Sequence, residues 1–230
     1  MARYELYWYP GTCARVPFVA LEEIGAPFAI NVVDLLGDKS YAAVNPKEKV
    51  PALISNGAIV TENPVLLKYL SERHPDAGLL PLGDENVERE AEETMAWFAA
   101  GIHPIITRLR FPQFFSDNPI AQEDIKVRAA SQLEGLFDLV EQRLKHDQWL
   151  FGDWTIVDVY LLWLWFRATG SGMDGSSFPL CAGHATRCEA RPTVAKVLDR
   201  EEQEFRRFRT EGKIPDDFPA YQAGRAPTFP

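Results

Sequence analysis

The stretch that decides the fold is residues 7–25, YWYPGTCARVPFVALEEIG, in which an aromatic run gives way to a helical pattern. The alternating, aromatic-rich residues up to Trp8 predict a β-strand, and the Pro-Gly pair that follows predicts a turn. From about Ala14 to Ile24 the apolar side chains recur at helical spacing. The sequence therefore predicts strand, turn and helix, with Cys13 at or just before the helix N-terminus.

Further along, the spacing predicts a compact β-α-β-β-β-α unit over the first 80 or so residues. The segment FAINVV, residues 28–33, suits a second strand that pairs in parallel with the first through a right-handed crossover. Asn56-Gly57 lies between two short β-like runs and is a strong hairpin signal. The next helix begins in TENPVLLKYLSERHP, where Asn63 can cap and Pro64 suits the first helical position.

The remainder of the chain is predicted to be helical. Residues 81–90, PLGDENVERE, are polar and lack an apolar face, so we interpret them as a linker between domains. Four periodic stretches predict helices, at residues 87–109, 121–145, 156–168 and 193–209. We therefore expect one domain over residues 1–82, an all-helical domain over residues 90–212, and an extended tail over residues 213–230.

Composition and charge exclude several classes of function. The net charge of −9 would repel a phosphate backbone or an anionic membrane surface. The longest apolar run, residues 159–166, is far shorter than the roughly 20 residues that span a bilayer. The N-terminus lacks a signal-peptide pattern, and three cysteines without a CxxC pair indicate free thiols. We expect a cytoplasmic protein that binds neither nucleic acid nor membrane.

Cys13 has two interpretations on local physics alone. At a helix N-terminus the unpaired N–H groups and the helix dipole favour a thiolate, which would lower the pKa of the thiol. Equally, a free cysteine often serves as a small buried apolar residue. The absence of a second cysteine three residues later argues against dithiol exchange and leaves single-thiol chemistry.

A second candidate site lies where the hairpin meets the next helix. The N–H groups of a helix that opens at TENP would bind a carboxylate, while Glu62 could take the ammonium group of a zwitterion. A capping Asn63 beside a solvated acid explains the same residues equally well. If the Val50-Pro51 bond were cis, the Val50 backbone could pair with an extended peptide.

Histidines give no sign of a metal site. His103 lies in an apolar helical stretch before Pro104, a position more typical of a core or interface residue, and Pro104 should kink the helix. The other three, His74, His146 and His184, look like loop or surface residues. No ligand spacing relates the histidines to one another or to the cysteines, so we predict no metal.

Taken as an ordered set, five segments resemble the glutathione transferase family, and bacterial beta-class members most closely. These are YPGTCARVPFVALEEIG, VVDL, AAVNPKEKVPALI, IVTENPVLLKYLSERHPDAGLLP and GDWTIVDVYLLW. The resemblance implies an α/β thioredoxin-like N-terminal domain, an all-α C-terminal helical-bundle domain, a homodimer, and glutathione bound as co-substrate along the thioredoxin-like edge.

The resemblance also implies roles for individual residues. Cys13 matches the cysteine that contacts the glutathione sulfur, and His103 matches the helix histidine of beta-class sites. The remaining matches concern glutathione binding: Val50 by its backbone, Pro51 as the cis-proline, Glu62 at the γ-glutamyl end and Lys49 near the glycyl end. Asn63 replaces the usual Ser or Gly of the family, and its amide could still donate a hydrogen bond.

Two further features qualify this assignment. Glu48 replaces a common glycine of the family, and Trp8 occupies the place where mammalian-type members carry a catalytic tyrosine. Activation of glutathione by a tyrosine hydroxyl at that position is therefore not expected. Thr12 is an additional hydroxyl partner for the ligand if Cys13 is buried.

Together these features predict a transferase that joins the glutathione thiol to small hydrophobic electrophiles. Phe111, Trp163 and Phe166 are candidate walls of the electrophile pocket, although large aromatics at helical spacing more often belong to the core. A second interpretation makes Cys13 itself the nucleophile of a glutathione-dependent thiol transferase or lyase. A third is a non-catalytic binding protein that keeps the scaffold.

Overall fold

The computed structural model describes residues 4–35 and 39–214. A mixed four-stranded sheet has the strand order β2-β1-β3-β4. Its strands are β1 Tyr4–Trp8, β2 Phe28–Val32, β3 Ala52–Ser55 and β4 Ala58–Thr61. The predicted parallel pairing of β1 with β2 is confirmed, and the other neighbouring strands are antiparallel. Side chains of β1 alternate between buried and half-buried, as the sequence pattern predicted.

The turn after β1 fixes where Cys13 lies. Gly11 has φ 73°, and a β-carbon placed there would lie 2.9 Å from the ring of Phe205, so the turn requires glycine. Helix α1 then spans Arg15–Ile24 and ends at Gly25 in the left-handed conformation. Ala14 is the N-cap residue, and Cys13 precedes it. Cys13 therefore lies just before the helix, within the turn.

The hairpin between β3 and β4 delivers the chain to helix α2, which spans Asn63–Arg73. Asn56 and Gly57 both have positive φ, at 51° and 79°, as a two-residue hairpin requires. The N-cap residue of α2 is Glu62, and no side chain caps this end. The prediction that Asn63 caps the helix is wrong, because Asn63 is its first helical residue.

The rest of the described chain is helical. Helix bounds are α3 Glu85–Trp97, α4 His103–Arg110, α5 Pro119–Arg143, α6 Ile156–Thr169, α7 Pro179–Glu189 and α8 Pro192–Thr210. Helix α3 begins inside the predicted linker because the Asp84 side chain accepts hydrogen bonds from the first-turn N–H groups of Asn86 and Val87. The proposed domain boundaries stay a prediction, and the predicted tail falls largely on residues 215–230, outside the described residues.

A π-helical segment, Phe98–Ile102, joins α3 to α4. The sequence predicted one helix over this region with a kink at Pro104. The chain instead stays helical with a widened turn, and Pro104 lies in the first turn of α4, where its missing N–H costs nothing. The widened turn lies immediately before His103.

Helix α7 was not predicted. Its buried face consists of small or polar residues, Cys181, His184, Ala185 and Cys188, so the helical period carries little hydrophobic contrast. The expectation that His184 lies in a loop or at the surface is wrong: it is 1% exposed and bonds Asp158 Oδ1 at 2.9 Å.

Helix α6 begins at a capping box, as DWTIVD predicts, with Thr155 as the N-cap residue. Asp158 is fully buried, and its oxygens accept from the Thr155 N–H at 2.8 Å and the Leu150 N–H at 3.0 Å. We call Leu150, Thr155, Asp158 and His184 the Asp158 cluster. It ties the loop before α6, helix α6 and helix α7 together.

The sheet unit and the helices share one apolar core. Helix α1 packs against α6 and α8, and a fully buried ion pair joins Arg15 to Glu201 at 2.6 Å across that contact. Trp163 donates from its indole N–H to the Gly11 carbonyl at 3.1 Å. No helix within residues 4–35 and 39–214 is long and apolar enough to cross a membrane.

Candidate functional site

An open pocket of about 180 Å³ lies where the start of α1, the loop before β3, the start of α2 and the helical region meet. We call it the thiol pocket. Its lining residues are Cys13, Asn45, Lys49, Val50, Pro51, Thr61, Glu62, Asn63, Ala99, His103 and Tyr160. Seven residues singled out from the sequence therefore share one pocket, although the chain separates them by up to 90 positions.

Cys13 is half-buried, and its thiol donates to the Val50 carbonyl at an Sγ···O distance of 3.6 Å. Burial raises the pKa of Cys13 from its ordinary value of 9.0 to about 12, although Arg167 and a backbone N–H act in the opposite direction. The expectation that the helix N-terminus lowers this pKa is therefore wrong, because loss of solvation outweighs the local dipole. The thiol is protonated at neutral pH.

The loop before β3 is held by hydrogen bonds to one carbonyl. Lys49 O accepts from the Tyr41 hydroxyl at 2.8 Å and from Asn45 Nδ2 at 2.7 Å. The next peptide bond, between Val50 and Pro51, is cis. These bonds leave the exposed Lys49 side chain and the Val50 backbone at the pocket.

Glu62 has φ 68°, a conformation that side chains other than glycine rarely adopt. Its exposed carboxylate lies 2.6 Å from the ammonium group of Lys47. Such strained residues cluster at functional sites. The strain therefore fits a position whose geometry serves binding, and an exposed ion pair of this kind contributes little to stability.

Asn63 is 4% exposed and links the start of α2 to the turn before α1. Its Nδ2 donates to the Cys13 carbonyl at 2.9 Å. Its Oδ1 is buried, and among the described residues it has no hydrogen-bond partner. The amide thus holds the Cys13 backbone in place and leaves one acceptor unsatisfied.

His103 is half-buried, and its ring meets the Trp163 ring edge to face at a centroid distance of 4.6 Å. Burial lowers the pKa of His103 from 6.5 to about 4, and the positive charges of Arg167 and Lys49 lower it further. The imidazole is therefore neutral at pH 7 and can accept or relay a proton.

Tyr160 and Arg167 are site residues that sequence reasoning missed. Tyr160 lines the thiol pocket, and burial, with Cys13 as a further cause, raises the pKa of its hydroxyl. Arg167 is half-buried; burial and the nearby Arg110 and Arg15 lower the pKa of its guanidinium to about 9. A hydroxyl and a guanidinium within the apolar run of α6 were the available signal, because polar groups on a buried helix face need partners.

A second pocket of about 310 Å³ adjoins the thiol pocket through Lys49 and His103. We call it the side pocket. Its lining residues are Lys49, His103, Pro104, Thr107, Arg108 and Phe115. It combines apolar surface with two cationic side chains beside the thiol.

Four predicted site residues line neither pocket. Thr12 donates its hydroxyl to the Tyr9 carbonyl at 2.6 Å, so this hydroxyl is engaged by the turn itself. Trp163 is buried, and Phe166 is buried beneath the guanidinium of Arg15. Phe111 stacks on Phe114 at 5.1 Å. For Trp163 and Phe166 the core alternative describes the observed position.

No group of three His, Cys, Asp or Glu side chains within the described ranges could hold a metal ion. The thiol pocket therefore offers one thiol, one neutral imidazole, a tyrosine hydroxyl and cationic side chains. These groups can bind a peptide-like anion and stabilise a thiolate within it.

Comparison with known proteins gives consistent matches. The family model for the glutathione S-transferase N-terminal domain matches residues 11–73. The glutathione S-transferase GstA of Escherichia coli O157:H7 is 31% identical over 207 residues, which cover 86% of this chain and 98% of that protein. A maleylpyruvate isomerase from a Ralstonia species is 28% identical, covering 76% of this chain and 85% of that protein.

A solved structure extends the likeness to three dimensions. A sphingomonad glutathione S-transferase complexed with glutathione has a TM-score of 0.76 and 25% sequence identity, covering 86% of this chain and 98% of that one. This match confirms the predicted fold class, a thioredoxin-like α/β unit followed by a helical bundle.

Proposed function

Since the chain belongs to the glutathione S-transferase family, we propose that it binds glutathione in the thiol pocket and transfers the sulfur to small hydrophobic electrophiles. The family assignment confirms the resemblance found in the sequence motifs and makes the protein a transferase. The identity of the ligand and the role of each residue are our proposal, which the pocket geometry supports.

The tripeptide would lie across the pocket with its two ends at opposite walls. The start of α2 offers N–H groups to the γ-glutamyl carboxylate, and Glu62 takes the ammonium group that Lys47 now pairs with. The Val50 backbone pairs with the cysteinyl part, beside the cis-proline Pro51, in the manner of strand addition. Lys49 then faces the glycyl carboxylate.

One observation supports the chemistry most directly: the Cys13 thiol lies in the pocket with its pKa raised to about 12. A protonated thiol donates a hydrogen bond, so Cys13 would stabilise the glutathione thiolate rather than attack on its own account. The neutral His103 can accept the proton that glutathione loses. The glutathione sulfur then attacks the electrophile and expels the leaving group.

A second candidate function is supported by the exposure of the same thiol. Cys13 is half-buried rather than sealed, and the positive charge of Arg167 favours its thiolate. In glutathione-dependent thiol transfer, Cys13 would attack a disulfide, form a mixed disulfide and release one thiol, and a glutathione thiolate would then resolve it. A non-catalytic binding protein would bind glutathione without either reaction.

Two variants and one control distinguish these functions. We expect Cys13→Ser to keep conjugation, because the serine hydroxyl still donates, and to abolish thiol transfer. Cys13→Ala should lower conjugation by about tenfold through loss of one donor. The electrophile panel should include aryl halides and, because of the Ralstonia relative's name, conjugated alkenes. Cys181→Ser, outside the pocket, is the control. Glutathione binding without turnover would support the non-catalytic function, and absence of binding would exclude all three.

We further propose that the protein acts as a cytoplasmic homodimer. The proposal is supported by the family resemblance and by apolar side chains such as Val65, which is 58% exposed at the start of α2. Sedimentation equilibrium tests it: a mass of twice 26.0 kDa is expected, and a monomer at micromolar concentration would contradict it.

A further inference from the structure

Helix α6 directs three side chains of one face towards the site. Tyr160, Trp163 and Arg167 are spaced at i, i+3 and i+7, which places them on the same side of a helix. Tyr160 lines the thiol pocket, and Trp163 contacts the His103 ring at 4.6 Å. Arg167 therefore follows on the face that meets Cys13 and His103, and its charge acts on the pKa of both residues.

Arg167 lacks the acidic partner that a half-buried guanidinium usually has. Among the described residues, no hydrogen bond or ion pair of its side chain is found. The acid that acts on it electrostatically, Glu201, is already bonded to Arg15 at 2.6 Å. Its other charged neighbour, Arg110, is a cation. A cation desolvated in this way is stabilised when an anion binds beside it.

The side pocket adds positive charge on the other side of His103. Lys49 and Arg108 line it, no acidic residue does, and neither side chain forms an ion pair with a described residue. Arg108 lies over the Phe115 ring at 5.5 Å. A chain with net charge −9 thus surrounds His103 with cations and gives the second pocket one flat aromatic wall.

We propose that the second substrate is an anion, a planar conjugated or aromatic carboxylate, whose charged group Arg167 binds beside the glutathione sulfur. The proposal rests on the proposed function and narrows its substrate class from hydrophobic electrophiles to acidic ones. Pro104 and Phe115 contact the planar body, and Arg108 extends the positive field at the mouth of the pocket. Arg167 would act as a binding residue for the acceptor, not as a group that activates the thiol.

The test uses two unreactive probes of equal shape, cinnamate and cinnamamide, which differ only in the charge of one group. Binding is measured by calorimetry with the protein saturated by S-methylglutathione and again without it. We expect cinnamate to bind about tenfold more tightly than cinnamamide, the magnitude of one charge-assisted hydrogen-bond pair. Equal affinities, or no measurable cinnamate binding, would overturn the proposal.

Variants assign the preference to one residue. Arg167→Gln should bind the two probes equally, and Arg167→Lys should restore most of the preference. Arg128→Gln, which removes the same charge from an exposed ion pair on α5, should keep the wild-type preference. A preference that survives in Arg167→Gln would show that another cation holds the anion and would overturn the assignment.

S-methylglutathione separates this proposal from the proposed function. If it displaces cinnamate competitively, Arg167 holds a carboxylate of glutathione, and the acceptor subsite is refuted. Titration of S-methylglutathione alone tests the glutathione site. If it fails to bind, the proposed function falls, whereas the cinnamate preference of the ligand-free protein still decides whether Arg167 forms an anion site.

Discussion

Two buried polar regions contact helix α6, and they differ in how their hydrogen bonds are satisfied. In the Asp158 cluster the carboxylate accepts four hydrogen bonds, from Thr155 N and Oγ1, Leu150 N and His184 Nε2. In the thiol pocket, Asn63 Oδ1 has no partner among the described residues, and Arg167 has no acid. Both regions are polar, yet only one is complete by itself.

The difference separates stability from binding. A fully satisfied buried network stabilises one arrangement of the chain and leaves no capacity for a ligand. Unmet donors and acceptors cost free energy in the empty protein and regain it when a ligand supplies the missing partners. We therefore expect substitutions in the Asp158 cluster to affect unfolding, and substitutions in the thiol pocket to affect binding.

The largest effect is expected for Asp158→Ala. It leaves the Leu150 and Thr155 N–H groups and the His184 ring without their acceptor, and should lower the free energy of unfolding by about 3–5 kcal/mol. Urea unfolding measures this. The control Asp124→Ala, in an exposed pair with Arg128, should cost no more than about 0.5 kcal/mol. Equal losses in both variants would contradict the structural role of the cluster.

The next effect concerns pH. Because the pKa of His103 is about 4 in the folded protein and 6.5 when solvated, the unfolded chain binds more protons between these values. Stability should therefore fall as pH drops through this window, by about 1–2 kcal/mol between pH 7 and pH 5 from His103 alone. Comparison of urea unfolding of wild type and His103→Gln isolates this contribution. An identical pH dependence in both proteins would contradict the lowered pKa.

Asn63→Ala should weaken glutathione binding by about tenfold, because the Cys13 turn loses its bond to α2 and the pocket loses an amide. Isothermal titration with glutathione measures the affinity. Asn86→Ala, at an exposed position in α3, is the matched control and should leave affinity unchanged. Unchanged affinity in Asn63→Ala would place the ligand elsewhere.

The smallest effect separates two strained glutamates. Glu48 has φ 51° and Glu62 has φ 68°, so glycine at either position relieves backbone strain. We expect Glu48→Gly to stabilise the protein by about 0.5–1 kcal/mol with unchanged glutathione affinity. Glu62→Gly should also relieve strain but lose affinity, because the carboxylate is removed. Thermal unfolding with paired titrations would test this, and equal affinity in both variants would contradict a binding role for Glu62.

Local patterns predicted most of the fold. Pro10-Gly11, Asn56-Gly57 and the capping box at Thr155 act over a few residues, so their structural consequences can be read from the sequence. Helix α7 could not be predicted, because its buried side chains are small or polar and give little periodic contrast. The wrong cap at Asn63 was within one residue of the observed helix start.

For the site, resemblance supplied the residues and the structure supplied their states. Cys13 could be placed at a helix start from sequence, but its pKa depends on burial by α6 and on Arg167, more than 150 residues away. Tyr160 and Arg167 could not be assigned, since nothing local shows which face of α6 meets the pocket. Long-range desolvation and charge are the terms that one sequence does not display.

The most direct test of the account is the pH dependence of Cys13 alkylation by iodoacetamide in the ligand-free protein, followed by peptide mass spectrometry to exclude Cys181 and Cys188. Our account predicts that the rate still rises above pH 9.0, since the pKa of this thiol is about 12. A rate that levels off near neutral pH would show a thiolate at Cys13. That result would make Cys13 the nucleophile and contradict its role as a hydrogen-bond donor to glutathione.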